Sequence, residues 1–345
     1  MAKAAILVFF SAIAVLVSCD NGRMPDSVLW MQEGNGVLSA TKTGELFVFD
    51  RSTGLKKFSG QSGEMLWEIA LSNERRQIKA TENGDLVVME ISASPTLSLL
   101  SGDNGGQLWS RSIEAHSIDS AGTLIVVGGL DRTYLFNLDG SLRWDAPIAE
   151  GHTGARATVL VGDSGDVVRW EKLGQQYVLQ GYDGADGSPT WSVETSRAKT
   201  PSSASLSCVG DLVVASLNYY GELQVGEYTL PQSTPYRIAT SGVFAINSTG
   251  MLLWAREVLI DRDKMTPGLN GEVLLAGVPF EIQNIDGHEL GENRGVLMAL
   301  DTSSGKTISV LSFFTDIGSL TSDQHGRFYL TLSGRYQEFL VGLKQ

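Results

Sequence analysis

The sequence predicts an all-β chain, a seven-bladed β-propeller of four-stranded blades, and three observations carry that prediction. The first is a glycine two residues before an apolar residue that opens a β-rich run. It recurs seven times, at Gly44/Leu46, Gly84/Leu86, Gly122/Leu124, Gly165/Val167, Gly210/Leu212, Gly271/Val273 and Gly326/Phe328. The second is a glycine four residues before a tryptophan, at Gly63/Trp67, Gly105/Trp109, Gly140/Trp144, Gly187/Trp191 and Gly250/Trp254. Gly305 continues this series with Ser309 in the tryptophan slot. The third is a mismatch at the chain ends. The last unit is one outer strand short, and the N-terminal region has one strand to spare.

Blade 1 runs from about Gln32 to Leu71, with strands predicted over Val37–Thr41, Leu46–Asp50, Leu55–Ser59 and Met65–Ile69. The run Leu46-Phe47-Val48-Phe49 suits a buried strand, and Asp50 to Gly54 supplies turn residues. Blade 2 covers about Gln77 to Ser112, with Leu86-Val87-Val88-Met89 as its second strand. Blade 3, about His116 to Ala146, is the most compact, and Asn137 to Gly140 makes its tight last turn. Blade 4 covers about Arg156 to Val193. Blades 5 and 6 span about Ser203 to Val258 and Met265 to Phe313, each with extra chain between its second and third strands. Blade 7 begins near Ile317 and ends with Phe339 to Leu343. Ser27-Val28-Leu29-Trp30-Met31 matches the Leu-Trp outer strands elsewhere, so the N-terminal strand is expected to complete blade 7 and remove an open ring edge. A large flat indole on an outer strand fills the wedge between twisted blades. Six of the seven tryptophans fit that role; Trp170 is the exception, placed on the second strand of blade 4.

Composition limits the partners. Charged residues are 19% and hydrophobic residues 42% of the 345, as in a folded globular chain. Formal net charge is -13, which argues against nucleic acid as a partner because phosphate binding needs basic surface. The N-terminus reads as a targeting segment. Lys3 precedes the uncharged run Ala4 to Ser18, which is shorter than the roughly 18 to 20 residues of a spanning helix and fits a signal peptide. Leu16-Val17-Ser18-Cys19 matches a bacterial lipobox, which would be cut before Cys19 and diacylated on its sulfur. The alternative is an ordinary signal with an incidental cysteine. The expected organisation is therefore a signal peptide over residues 1–18, a tether over 19–26 and the propeller over 27–345. Asp20 resembles the inner-membrane retention signal of enteric lipoproteins, and the leaflet stays open. Cys19 and Cys208 are the only cysteines once the signal is removed, so no internal disulfide framework is expected. Cys208 sits in an apolar stretch and reads as a small core residue.

The segment Leu135-Phe136-Asn137-Leu138-Asp139-Gly140-Ser141-Leu142-Arg143-Trp144 resembles the repeat of pyrroloquinoline-quinone-like propellers. Val243 to Trp254 is similar, and Val296 to Gly305 is similar without the tryptophan. The resemblance implies the fold, and function resides in sites grafted on it. One branch, the quinoprotein dehydrogenases, carries an adjacent cysteine pair, a calcium site and a catalytic aspartate. This chain has no adjacent cysteines and no matching calcium constellation. Its lipobox, size and repeat are similar to the lipid-anchored, non-enzymatic scaffold of the outer-membrane β-barrel assembly machine.

No catalytic residues, metal ligands or cofactor are assigned from the sequence. His116, His152, His288 and His325 have no partners at metal-ligand spacing. Gly102 to Gly106 and Asp183 to Gly187 are superficially like calcium loops, lack the ligand spacing, and sit at hairpin positions. The two insertions are the candidate binding region. Blade 5 offers Tyr219, Tyr220, Tyr228 and Tyr236; blade 6 offers Phe280, Asp286, His288, Glu289 and Glu292. Equivalent connections in adjacent blades emerge on one rim, and exposed tyrosines among polar residues suit a binding surface. The other reading is longer loops whose tyrosines pack on the ring. The sequence thus points to a lipid-anchored, non-enzymatic scaffold that binds envelope proteins and meets the membrane through Cys19. Its rivals are a quinone-dependent oxidoreductase and a small-ligand or glycan sensor using the insertions.

Overall fold

The computed structural model describes residues 28–33, 36–72, 74–162, 164–174, 176–196, 204–219, 221–231, 240–258, 260–279, 283–290, 295–313, 315–333 and 338–344. Their regular structure is all β, in seven four-stranded antiparallel sheets and two small hairpins. The signal segment and Cys19 lie outside the described residues, among which no helix is long and apolar enough to cross a membrane.

The chain enters through β1 (Val28–Glu33) and then builds blade 1 from β2 (Val37–Ala40), β3 (Glu45–Asp50), β4 (Gly54–Ser59) and β5 (Met65–Ile69). Blade 2 is β6 (Arg75–Ala80), β7 (Leu86–Ile91), β8 (Thr96–Leu100) and β9 (Gln107–Ser112). Blade 3 is β10 (Ser117–Ala121), β11 (Leu124–Gly128), β12 (Arg132–Asn137) and β13 (Leu142–Pro147). Blade 4 is β14 (His152–Val161), β15 (Asp166–Leu173), β16 (Gln176–Tyr182) and β17 (Pro189–Glu194). Blade 5 is β18 (Ala204–Val209), β19 (Leu212–Tyr219), β22 (Thr240–Asn247) and β23 (Leu252–Val258), with β20 (Leu223–Val225) and β21 (Tyr228–Leu230) inserted as a hairpin. Blade 6 is β24 (Ile260–Pro267), β25 (Glu272–Pro279), β28 (Gly295–Asp301) and β29 (Thr307–Phe313), with the hairpin β26 (Gln283–Ile285) and β27 (His288–Leu290) inserted. Blade 7 is β30 (Asp316–Ser322), β31 (Arg327–Ser333) and β32 (Glu338–Lys344), completed by β1.

The predicted closure holds. β1 runs antiparallel to β32, with Trp30 opposite Gly342 and Met31 opposite Val341. Gly342 leaves room for the indole, since a Cβ there would come within 2.6 Å of the Trp30 ring. Trp30 also stacks on Tyr329 at 6.1 Å between ring centroids. Blade 4 departs from expectation at its start. β14 begins at His152 rather than near Arg156, because β15 continues to Leu173 and supplies pairing partners up to His152, across an irregularity between Gly154 and Thr158.

Packing explains the tryptophan repeat. Each outer-strand indole reaches the last turn of the next blade and donates to a carbonyl there. Trp30 bonds Gly60 O at 2.8 Å, Trp67 bonds Gly102 O at 3.0 Å, and Trp109 bonds Leu138 O at 2.7 Å. Trp144 bonds Gly184 O at 3.0 Å, Trp191 bonds Ser248 O at 3.0 Å, and Trp254 bonds Thr302 O at 2.7 Å. The glycine of each receiving turn serves the same contact. At Gly187, φ is +74°, and an added Cβ would meet the Trp144 ring at 2.6 Å. Glycine and tryptophan of one repeat therefore belong to two different junctions. Ser309 breaks the series at the one junction whose receiving turn would lie between β32 and β1, where the chain has its two ends. Trp170 is fully buried on the second strand of blade 4, edge-on to Tyr177 and Phe244 at 6.0 and 5.8 Å.

Candidate functional site

The seven first strands line a central cavity of about 500 Å³. Its charged side chains are paired between neighbouring blades. Lys42 pairs with Glu82 and Lys79 with Asp119, the latter at 2.6 Å, each joining neighbouring blades. Lys42, bonded to the carboxylate, holds Glu82 below the usual carboxylate range. Asp119 also accepts from Leu160 N at 3.0 Å, and Ser39 Oγ accepts from Ala80 N at 2.7 Å. Cys208 lines the cavity half-buried, and its thiol donates to Gly210 O at 3.1 Å. Burial pushes this thiol up to about 11, so it stays protonated at neutral pH, unlike a reactive cysteine. Among the described residues no His, Cys, Asp or Glu side chains gather as a metal-binding group.

The two insertions leave by the same connection, from second to third strand, and so emerge at the same face of the ring. The blade 5 hairpin is anchored by apolar residues. Leu223, Val225 and Leu230 are buried in one cluster with Trp170 and Phe244. Gly242 makes the space, since a Cβ there would approach Leu223 to 2.8 Å and Leu230 to 3.0 Å. Tyr219 is 0% exposed, and its hydroxyl donates to Pro231 O at 2.9 Å. This corrects the expectation of an exposed tyrosine there: β19 extends to Tyr219 and carries the ring into the core. Tyr228 is half-buried and donates to Leu253 O at 3.1 Å. The hairpin also binds blade 4. Ser196 N donates to Gln224 O and Gln224 N to Ser196 Oγ, both at 2.8 Å. An open groove of about 410 Å³ follows this junction, lined by residues including Gln176, Ser192, Glu194, Gln224 and Leu252. Tyr220 and Tyr236 lie outside the described residues.

In the blade 6 hairpin, Asp286 takes φ +52° at the turn. Its Oδ2 accepts from Thr307 N and from Arg256 Nη1, each at 2.8 Å. Arg256 belongs to β23, so this hairpin too ties its blade to the preceding one. The Thr307 amide, then the Arg256 guanidinium, hold the Asp286 carboxyl down to about 2. His288 and Glu289 stand on β27 opposite Ile285 and Asn284. Phe280 and Glu292 lie outside the described residues.

One buried cluster was not read from the sequence. Glu171, fully buried, accepts from the Tyr182 hydroxyl and pairs with His152 Nδ1 at 2.7 Å. Two residues before it, Arg169 donates to Arg132 O at 2.9 Å and Thr133 Oγ1 at 2.6 Å across the junction with blade 3. Burial lowers the Arg169 pKa and raises that of Tyr182. The sequence signal was Arg169-Trp170-Glu171, two charges on a strand that otherwise reads as buried. The Glu171 bonds join three strands within blade 4, and the Arg169 bonds fasten blade 4 to blade 3.

Comparison with known proteins follows the fold. The sequence profile of the family described as outer membrane protein assembly factor BamB matches residues 20–178 and 120–278. Among curated proteins, no individual sequence matches. The structure is similar to the crystal structure of BamB from Moraxella catarrhalis, with a TM-score of 0.55 at 15% identity, covering 92% of this chain and 99% of that one. It is also similar to the C-terminal WD40 domain of Sif2, with a TM-score of 0.54 at 13% identity, covering 92% of this chain and 98% of that one. At these identities the structural likeness is one of fold.

Proposed function

The chain belongs to the family of outer membrane protein assembly factor BamB, and we propose from this that it is a lipid-anchored, non-enzymatic scaffold that binds envelope proteins engaged in outer-membrane assembly. The family match is the observation that carries the reading. The internal chemistry supports it. Lys42, Glu82, Lys79 and Asp119 in the channel are paired across blades, and Cys208 is protonated at neutral pH. The charge pairs hold neighbouring blades together and leave the outer surfaces for partners. The groove between blade 4 and the blade 5 hairpin, with the turn at Asp286, is the proposed docking region. Cys19 is the proposed lipid attachment point, facing the periplasm from whichever membrane holds it.

Two assays test the parts of this reading. Cys19→Ser should abolish acyl labelling and leave an unprocessed precursor; undiminished labelling contradicts the anchor. Purified protein mixed with pyrroloquinoline quinone and calcium should show no bound-cofactor absorbance and no dye reduction with alcohols or sugars. Sustained turnover contradicts the non-enzymatic assignment.

A further inference from the structure

β17 is the outer strand of blade 4, so one of its edges has no partner within the sheet. The blade 5 hairpin adds a short strand to the end of that edge. Val225 of β20 stands opposite Thr195 in an antiparallel bridge, Ser196 N donates to Gln224 O at 2.8 Å, and Gly226 N donates to Glu194 O at 3.4 Å. The pairing stops there, because Gly226 takes φ +56° and the chain turns back into β21.

The next stretch of the edge faces the open groove. Backbone groups alternate in direction along a strand. Thr195 N donates inward, to Tyr177 O, and Glu194 O accepts from outside. Ser192, two residues before Glu194, therefore also directs its N–H and C=O outward. Among the described residues no strand pairs with Ser192 on that side. Small residues keep the edge accessible, since Ser192, Ser196, Gly226 and Gly250 line the groove. The wedge between blades 5 and 6 differs, because there Arg256 reaches across to Asp286 and the Gly305 carbonyl. The apolar lining of the groove is Val193 and Leu252, which pack against the cluster of Trp170 and Phe244. An accessible donor and acceptor on a strand edge is a template for main-chain pairing.

We infer that the groove takes an extended segment of a partner protein, paired antiparallel to β17 through Ser192 and continuing the line of β20. β20 shows what such a segment needs. Leu223 and Val225 are buried while Gln224 is exposed and directs its carbonyl to β17. The partner segment accordingly alternates apolar residues, facing Val193 and Leu252, with polar residues whose backbone bonds β17. The inference rests on the docking region proposed above and specifies how a partner binds there.

The test uses the full-length protein and a degenerate library of octapeptides in which Val, Ile or Leu alternates with Thr, Gln or Lys. Binding is read by fluorescence anisotropy, and exchange of the Ser192 amide proton by NMR. Ser192→Pro removes the outward N–H, a change that an edge strand tolerates, and its melting temperature checks folding. A second arm leaves the protein unaltered and N-methylates the peptides, either at the polar or at the apolar positions. The expected result is binding that slows exchange at Ser192 and weakens about tenfold in Ser192→Pro. Methylation at the polar positions should abolish binding, and methylation at the apolar positions should not. If Ser192→Pro fails to fold, the methylated peptides decide. Binding weakened by Gln224→Arg, yet indifferent to Ser192→Pro and to methylation, overturns strand addition and leaves the docking region standing. Binding indifferent to all of these changes overturns both. Absence of binding overturns the inference, and co-purification from the envelope with Gln224→Arg then decides the docking region separately.

Discussion

At the scale of single residues, the ring is held by indoles that cross blade boundaries. Trp144 is buried, packs on Gly187 of blade 4 and donates to Gly184 O. Trp144→Ala should cost about 3–5 kcal/mol through the cavity left behind, read as a lower urea midpoint. Ser309→Trp should bring no gain, because β29 faces no receiving turn at the chain ends; a raised midpoint would show that another group accepts the indole. The tryptophan repeat was legible because its period is that of the blade. The bonds of Arg169 to blade 3 were not, because the partners lie on separate blades and match no local motif. Asp286 gives a pH-dependent term. Its ordinary value is 3.8, and the folded value is about 2. A depressed carboxylate adds stability above its unfolded value and loses it as pH falls through the folded one. Wild type should lose a small part of its stability between about pH 4 and pH 2 that Asp286→Asn does not, small because the carboxyl is partly exposed and screened. Equal acid limbs in urea titrations would contradict the assignment.

At the scale of elements, β1 and the blade 5 hairpin show two kinds of legibility. β1 was readable because Leu29-Trp30 repeats the outer-strand pattern and blade 7 lacked such a strand. Deleting residues 27–31 removes Trp30 and bares β32, so the melting temperature of the whole ring should fall. An unchanged value would show that blade 7 closes without β1. The positions of the two insertions were also legible, as chain in excess of the compact blade 3. Their internal hairpins were not. Three-residue strands give too short a pattern to read, and Tyr219 is compatible with either a surface or a core position until its neighbours are known. The burial of Leu223, Val225 and Leu230 changes what truncation should do. Replacing residues 221–231 with a short turn should lower stability as well as any partner binding, because it strips apolar cover from Trp170 and Phe244. A truncated protein as stable as wild type would contradict this packing role.

At the scale of the whole molecule, seven similar units sharing one ring leave few alternatives for the fold, which is why sequence periodicity alone identified it. Function was less legible for a physical reason. The repeat residues are committed to packing, and the residues free to bind partners are those that do not repeat. Family membership supports the proposed role in outer-membrane protein assembly, and the paired charges of the channel agree with a structural interior. The measurement that tests the scaffold assignment most directly is quantitative identification of what co-purifies with the full-length protein after mild cross-linking and gentle detergent extraction of the envelope. The account predicts a component of the outer-membrane protein assembly machinery in constant ratio to this protein, reduced when the groove of blades 4 and 5 is altered by Gln224→Arg. Recovery of this chain alone, or of the same partners in the same ratio from the altered protein, would contradict it.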